Sequence, residues 1–309
     1  MQIVLLDALT FGATDLSAFD RLGNVKVYQT SSRDETQERI TDATVIVTNK
    51  VIITKEFMLS AKSLKLICIA ATGMNNVDLE AAKELGIEVK NVAGYSTDSV
   101  IQHTFSMLFY LLGHSRYYDE VVKDGRYSRS KIFTDVSEPF FEVKAKRWGI
   151  IGLGAIGKGV AQIASAFGAE VIYFSTSGVQ RQEAYKSVEL QELLESCDII
   201  SIHAPLNEKT ENLLDYEELL TCKDGATVLN LGRGGIINEE AVSRIIDEKN
   251  IFFGLDVLTQ EPMRENHPLL GVKKRDNLYI TPHIAWTSVE AREKLIALVV
   301  KNIGDSFSS

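Results

Sequence analysis

Short apolar runs rich in Ile, Val and Leu alternate along the chain with stretches whose apolar residues recur at helical spacing. That rhythm predicts successive βαβ units and an α/β fold built on parallel sheets. In the first third, strands are expected at residues 3–6, 25–28, 45–48, 66–70 and 88–91, with helices at 16–21, 35–40, 57–60 and 78–84. The pattern then changes. Residues 99–123 read as one long helix crowded with Phe105, Met107, Leu108, Phe109, Leu111 and Leu112, a length suited to a spine between domains. A second series of strands is expected at 147–151, 170–174, 198–203, 227–231, 252–256 and 278–280, and six strands are what two mononucleotide-binding halves require. Residues 288–303 form a last helix with Val289, Leu295, Ile296, Val299 and Val300 on one side, which needs a surface to pack on.

A length of 309 residues suits two domains, and 45% apolar with 24% charged residues is the composition of a folded globular chain. Lys plus Arg total 33 against 42 for Asp plus Glu. The resulting charge of −9 repels nucleic acid and anionic lipid, and no basic patch overrides it, so neither is expected as a partner. The longest apolar runs, such as 66–71 and 108–112, fall far short of the roughly 18 residues of a spanning helix. The opening residues resemble a buried strand and not a signal peptide, so a cytoplasmic protein is expected. Cys68, Cys197 and Cys222 are odd in number and widely spaced, which predicts buried free thiols, with neither a disulfide framework nor a metal site.

Directly after the strand at 147–151 stands Gly152-Leu153-Gly154-Ala155-Ile156-Gly157, a G-x-G-x-x-G that opens the next helix. In that setting the first glycine permits a tight turn, the second lets a pyrophosphate approach the backbone, and the third allows close helix packing. Amides at the helix N-terminus then hold the phosphates. Such folds usually end the second strand with an acid for the ribose hydroxyls, but here the place reads Tyr173-Phe174-Ser175-Thr176-Ser177. Three hydroxyls with Arg181 nearby suit a ribose phosphate, so NADP stands as the alternative to NAD. The same polar residues also suit a plain turn.

Ligands of open parallel sheets bind beyond the carboxyl ends of the strands. That rule brings together Arg233 after the fourth strand of the second series, Glu261 after the fifth and His283 after the sixth. Arginine is an always-charged fork for a carboxylate and a carbonyl, histidine a proton donor titrating near neutrality, and glutamate a group that holds this donor charged. Singly, they read as a loop ion pair, a surface acid and a histidine beside a proline. Jointly, after a phosphate-binding first strand, they read as a catalytic set.

Nearly the whole chain resembles the D-isomer-specific 2-hydroxyacid dehydrogenases. The resemblance rests on ATGMNNVDL at 71–79, NVAGYSTDSVIQHT at 91–104, the GLGAIG turn, 203–206 with Thr210, NLGRGG, the segment from GLDV to QEP, and TPHIAW. It implies that Arg233, Glu261 and His283 are catalytic, and that the turn at Thr72, Gly73 and Met74 binds the substrate carboxylate through backbone amides. It places Thr97, Gly152, Gly154, Ala155, Ile156, Gly157, Ser175, Thr176, Ser177, Ala204, Pro205, Thr210, Leu231, Asp256 and Ala285 at or near the cofactor. Ser175 stands where an acid is common, Asn75 where Asp is frequent and Gln102 where Glu is frequent. The first departure bears on cofactor choice.

The resemblance also implies a Rossmann domain, residues 100–284, inserted into a flavodoxin-like substrate domain made of 1–99 and 285–309. The last helix thereby gains its partner, substrate lies in the cleft, and closure about crossings near Ser99 and Ile284 excludes water. A homodimer joined through the nucleotide domain is implied as well. Thr48-Asn49-Lys50-Val51, ATGMNNVD, Gly125-Arg126-Tyr127 and Trp286 look most like the glycerate dehydrogenase or hydroxypyruvate reductase branch, with Lys50 and Trp286 as substrate contacts. The chain stops soon after its last helix, so an added regulatory domain is not expected. Lys50 is the one obvious extra cation for a phosphorylated substrate, and it also suits a solvated lysine. Hydroxypyruvate/D-glycerate and glyoxylate/glycolate are the expected pairs; a D-lactate-type enzyme acting on pyruvate and a dinucleotide-sensing regulator of the same fold are the alternatives.

Overall fold

In the computed structural model, which describes residues 1–179 and 184–308, the chain divides into a first unit of Met1–Ser96 with the residues from Trp286 onward, and a second unit of Thr97–Ala285. The first unit holds strands β1 (Gln2–Leu5), β2 (Asn24–Val27), β3 (Val45–Thr48), β4 (Leu66–Ile69) and β5 (Glu88–Lys90), all parallel in the order β2-β1-β3-β4-β5. This is the doubly wound order of flavodoxin-like sheets. Every residue of β3 and β4 is buried, as expected of central strands covered on both faces. Helices α1 (Arg33–Arg39), α2 (Lys55–Ser60) and α3 (Leu79–Glu84) start at the side-chain caps Ser32, Thr54 and Asp78. The helix expected at 16–21 is a 3-10 turn over Ser17–Arg21.

The second unit opens with α4 (Thr97–Leu112) and α5 (Ser115–Lys123), where the sequence predicted one long helix. The break is local, at a close turn that favours glycine followed by a left-handed residue. A Cβ at Gly113 would lie 2.9 Å from the Phe109 carbonyl oxygen, and His114 adopts left-handed backbone at φ 46°, which a helix cannot continue. Strands β6 (Arg147–Ile151), β7 (Glu170–Phe174), β8 (Lys186–Ser187), β9 (Ile199–Ile202), β10 (Thr227–Asn230), β11 (Phe252–Leu255) and β12 (Leu278–Ile280) follow, with α6 (Ala155–Ala166), α7 (Leu190–Ser196), α8 (Tyr216–Thr221) and α9 (Glu239–Glu248) between them. The parallel order is β12-β11-β10-β9-β6-β7-β8, so a seventh strand joins the six expected; β8, with two residues, leaves no hydrophobic run to read.

Helix α10 (Val289–Phe307) returns to the first unit and buries Leu295, Ile296, Val299 and Ile303 against Ile3, Leu5, Val45, Val47 and Leu66. Each such side chain contributes about 1.5–3 kcal/mol. The crossings fall at Ser96/Thr97 and Ala285/Trp286. Residues 97–99 and Ala285, which the sequence assigned to the substrate domain, therefore group with the nucleotide unit. Thr97 begins α4, and the Ser99 hydroxyl donates to the Ala285 carbonyl at 2.6 Å.

Candidate active site

The turn between β6 and α6 has the shape its glycines require. Gly152 lies at φ 92°, and a Cβ on Gly157 would come within 2.3 Å of the Gly152 carbonyl oxygen. A Cβ on Gly154 would meet open space, the condition for a ligand to approach that backbone. Ala155 and Ile156 form the first turn of α6. Beside them runs a groove of about 260 Å³ lined by Gly152, Gly154, Tyr173, Ser175–Ser177, His203, Pro205 and Asn207. Ser175 Oγ donates to the Val179 carbonyl at 2.9 Å and lies 3.3 Å from Ser177 Oγ, so the hydroxyls both close a turn and line the groove. Arg181 lies outside the described residues.

The far wall is built from beneath. Thr210 is buried; its hydroxyl donates to the Pro205 carbonyl at 2.7 Å and accepts from the Asn207 amide at 2.8 Å. It shapes the loop, and its proton is committed to Pro205. Ala204 and Leu231 are buried. His203, which the sequence reading left without a role, lines the groove with neither ring nitrogen hydrogen-bonded within the described residues. Burial pushes its pKa down to about 3, so the ring is neutral. Its motif position could have flagged it, since a polar side chain directly after a buried strand faces the ligand edge. Open glycine backbone, hydroxyl turn and orphaned imidazole together fit a dinucleotide.

Arg233, Glu261 and His283 sit on the loops after β10, β11 and β12, on one edge of the sheet. His283 Nδ1 lies 2.7 Å from Glu261 Oε2, and Glu261 Oε1 accepts from the Leu258 amide at 3.0 Å. Their side chains are 24% and 31% exposed, so the pair is open to a ligand yet partly shielded. Arg233 is exposed, with its guanidinium donating to the Gly232 carbonyl at 2.8 Å. The next residue, Gly234, presses on the Glu261 loop: a Cβ there would lie 2.0 Å from the Leu258 carbonyl.

Asp256 is 1% exposed. Its Oδ1 accepts from Thr281 Oγ1 at 2.6 Å and the Ile284 amide at 2.8 Å, and its Oδ2 from the Ala285 amide at 3.0 Å. His103 Nε2 is 3.1 Å from Thr281 Oγ1 and 3.6 Å from Asp256 Oδ1; burial lowers its pKa while the Asp256 charge opposes the shift. Asp256 thus fixes the turn on which His283 stands at φ 55°, a left-handed conformation that needs support.

Residues 105–285 match the family profile "D-isomer specific 2-hydroxyacid dehydrogenase, NAD binding domain". The chain belongs to the D-isomer-specific 2-hydroxyacid dehydrogenase family. A hydroxypyruvate reductase of Blautia hydrogenotrophica is 35% identical over 311 residues, covering 98% of this chain and 96% of the relative. A glycerate dehydrogenase of Methylorubrum extorquens is 33% identical, covering 98% and 95%. Among solved structures, an acyclic imino acid reductase in complex with NADPH and D-Arg superposes with a TM-score of 0.87 at 30% identity, covering 100% of this chain and 97% of that one. The dehydrogenase is an oxidoreductase of CH–OH donors with an NAD-binding Rossmann unit, and its likeness is to the glycerate and hydroxypyruvate branch.

The remaining candidates of this dehydrogenase lie in its first unit. Thr72 donates its hydroxyl to the Val92 carbonyl at 3.1 Å, and Asn91 Nδ2 donates to the Thr72 carbonyl at 2.7 Å, so the Gly73–Met74 turn is held at its root. Asn76 Nδ2 donates to the Val51 carbonyl at 3.1 Å, tying that turn to the loop of Lys50. Lys50 is exposed, and its amide donates to Asp7 Oδ2 at 2.7 Å; the buried Asp7 also accepts from the amides of Asn49 and Val51. Trp286 is half-buried and meets Tyr95 edge-on at 6.1 Å. Among the described residues no group of three or more His, Cys, Asp or Glu is placed to hold a metal ion, and no helix is long and apolar enough to cross a membrane.

Proposed function

We propose that the dehydrogenase reduces hydroxypyruvate to D-glycerate, or glyoxylate to glycolate, with Arg233, Glu261 and His283 as its catalytic residues. The observation that carries this reading is the 2.7 Å contact between His283 and Glu261 beside the Arg233 loop. Arg233 binds the substrate carboxylate and 2-oxo group as a planar fork. NADH, when bound, supplies the hydride. His283 gives a proton from Nε2 to the carbonyl oxygen as charge grows there, and takes it back in the oxidative direction. Glu261 holds the ring by Nδ1 and balances the imidazolium. Gly152, Gly154 and the first turn of α6 hold the pyrophosphate, and the amides of the Thr72–Met74 turn bind carboxylate, with Lys50 and Trp286 as further substrate contacts.

The preferred cofactor is NAD, with substantial use of NADP through the Ser175–Ser177 turn. The protein acts in the cytoplasm, where its three buried free thiols stay reduced; burial pushes each up to about 12. It works as a homodimer, and the support is the exposed apolar set Tyr127, Ile132, Phe133, Val136, Phe140 and Phe141, with Phe133 at 89% exposure. A second reading, reduction of a 2-imino acid, draws on the likeness to the imino acid reductase. Hydroxypyruvate, glyoxylate and pyruvate assayed with NADH and NADPH, each with and without an added amine, test these readings. Hydroxypyruvate or glyoxylate is expected to lead; preference for pyruvate, or activity only with amine, overturns the substrate assignment.

A further inference from the structure

Glu261 stands in the middle of an exposed stretch, with Thr259, Gln260, Pro262, Arg264 and Glu265 also facing solvent. Within the loop the Leu258 amide donates to Glu261 Oε1 at 3.0 Å, and a second anchor holds the stretch from outside. The two ends of the stretch converge on one side chain. Glu239, the first residue of α9, accepts through Oε1 both the amide of Thr259 at 2.5 Å and its hydroxyl at 2.8 Å, while Oε2 lies 2.8 Å from His267 Nε2. The pair is nearly buried, with side-chain exposures of 11% for Glu239 and 9% for His267. His267 Nδ1 accepts from the Leu269 amide at 3.3 Å, which assigns the ring proton to Nε2 and makes His267 the donor to Glu239.

We infer that the Glu239–His267 pair is a positioning element for Glu261, acting through Thr259. The inference rests on the role proposed above for Glu261. One carboxylate fastens residues 259 and 267 to the end of α9, so the stretch between them becomes a closed loop with Glu261 at a fixed place opposite His283. An amide at position 239 cannot do this. Turned one way it offers N–H to the N–H of His267; turned the other it offers N–H to the amide of Thr259.

The test compares Glu239→Gln in the wild-type and Glu261→Gln backgrounds, reading kcat and KM for the best 2-oxo acid and NADH affinity by fluorescence. Glu239→Gln should lower kcat about tenfold, as a small misplacement of a catalytic group does, with KM and NADH affinity within about twofold. In the Glu261→Gln background the same change should alter kcat by less than about twofold, because coupled groups are not additive. Thr259→Val, which keeps the backbone bond, should repeat the pattern at smaller amplitude, and His267→Gln, which still donates to Glu239, should retain more activity than His267→Leu. A kcat within about twofold of wild type in Glu239→Gln, or equal losses in both backgrounds, overturns the inference. Full activity of Glu261→Gln alone would instead overturn the role of Glu261.

Discussion

Glu261 and His283 stand 22 residues apart in the chain and meet at 2.7 Å through one carboxylate oxygen and one ring nitrogen. Because that contact occupies Nδ1, Nε2 is the nitrogen available for proton transfer. His283→Ala should lower kcat by about 10²- to 10⁴-fold, the usual worth of a general acid. Glu261→Gln should fall in the same direction with a smaller loss. Steady-state reduction assays check both, and a His283→Ala enzyme within tenfold of wild type would remove the proton-donor role.

Arg233→Lys removes a planar fork and leaves a single charged point. Losing one charge-assisted hydrogen bond costs about 1.5–3 kcal/mol, or roughly ten- to a hundredfold in kcat/KM. Since Gly234 seats the loop against Leu258, the backbone should be unchanged and the loss should appear without a change in melting temperature. A variant with wild-type kcat/KM would show that Arg233 does not engage the substrate.

His203 gives a pH signature. The unfolded chain takes up a proton on this ring as pH falls below about 6.5, whereas the folded chain does so only near 3, so acid favours unfolding across that window. The contribution is complete above 6.5 and is lost toward 3. His203→Leu should therefore lose less stability than wild type between pH 6.5 and 5, by on the order of 1 to 2 kcal/mol in denaturant titrations. It should also bind NADH about tenfold more weakly, having lost the polar ring that lines the groove. Parallel pH slopes in the two proteins would contradict the buried neutral ring.

At the end of β7, Ser175→Asp places a carboxylate where a ribose phosphate would sit. NADPH-dependent kcat/KM should drop at least about tenfold while NADH-dependent turnover is kept. An equal effect on both cofactors would mean that the turn does not read the ribose.

Sedimentation should give a species of twice the 34.3 kDa chain mass. Phe133→Asp with Phe140→Asp should shift it to the monomer, as charges buried in an apolar contact are costly. A wild-type monomer at assay concentration would end the dimer proposal.

Much of this was readable from the chain, and the reasons differ by element. β3 and β4 are central parallel strands whose apolar runs have no polar interruption, and GLGAIG is a turn whose three glycines each meet a separate steric need. The loops after β10, β11 and β12 could be aligned on one edge because a parallel sheet sends its strand ends the same way. What escaped left no hydrophobic pattern, whether its cause was a local backbone turn or a contact distant in sequence. The break at Gly113–His114 replaces a continuous helical pattern, β8 is too short to carry a pattern, Thr210 bonds the backbone of its own loop, and Asp256 bonds the Thr281 hydroxyl and the amides of Ile284 and Ala285. His203 is legible only once its ring is seen without a partner, and Glu239 only once its two oxygens are seen on Thr259 and His267.

Asp7 holds the backbone of Asn49, Lys50 and Val51 from below, so the course of that loop owes nothing to the Lys50 side chain. Form and identity are thereby uncoupled at this position: another residue can be presented from the same spot without disturbing what carries it. A directed library confined to residue 50 should therefore fold at almost no cost, and a change of 2-oxo acid preference within it would test the substrate contact proposed for Lys50.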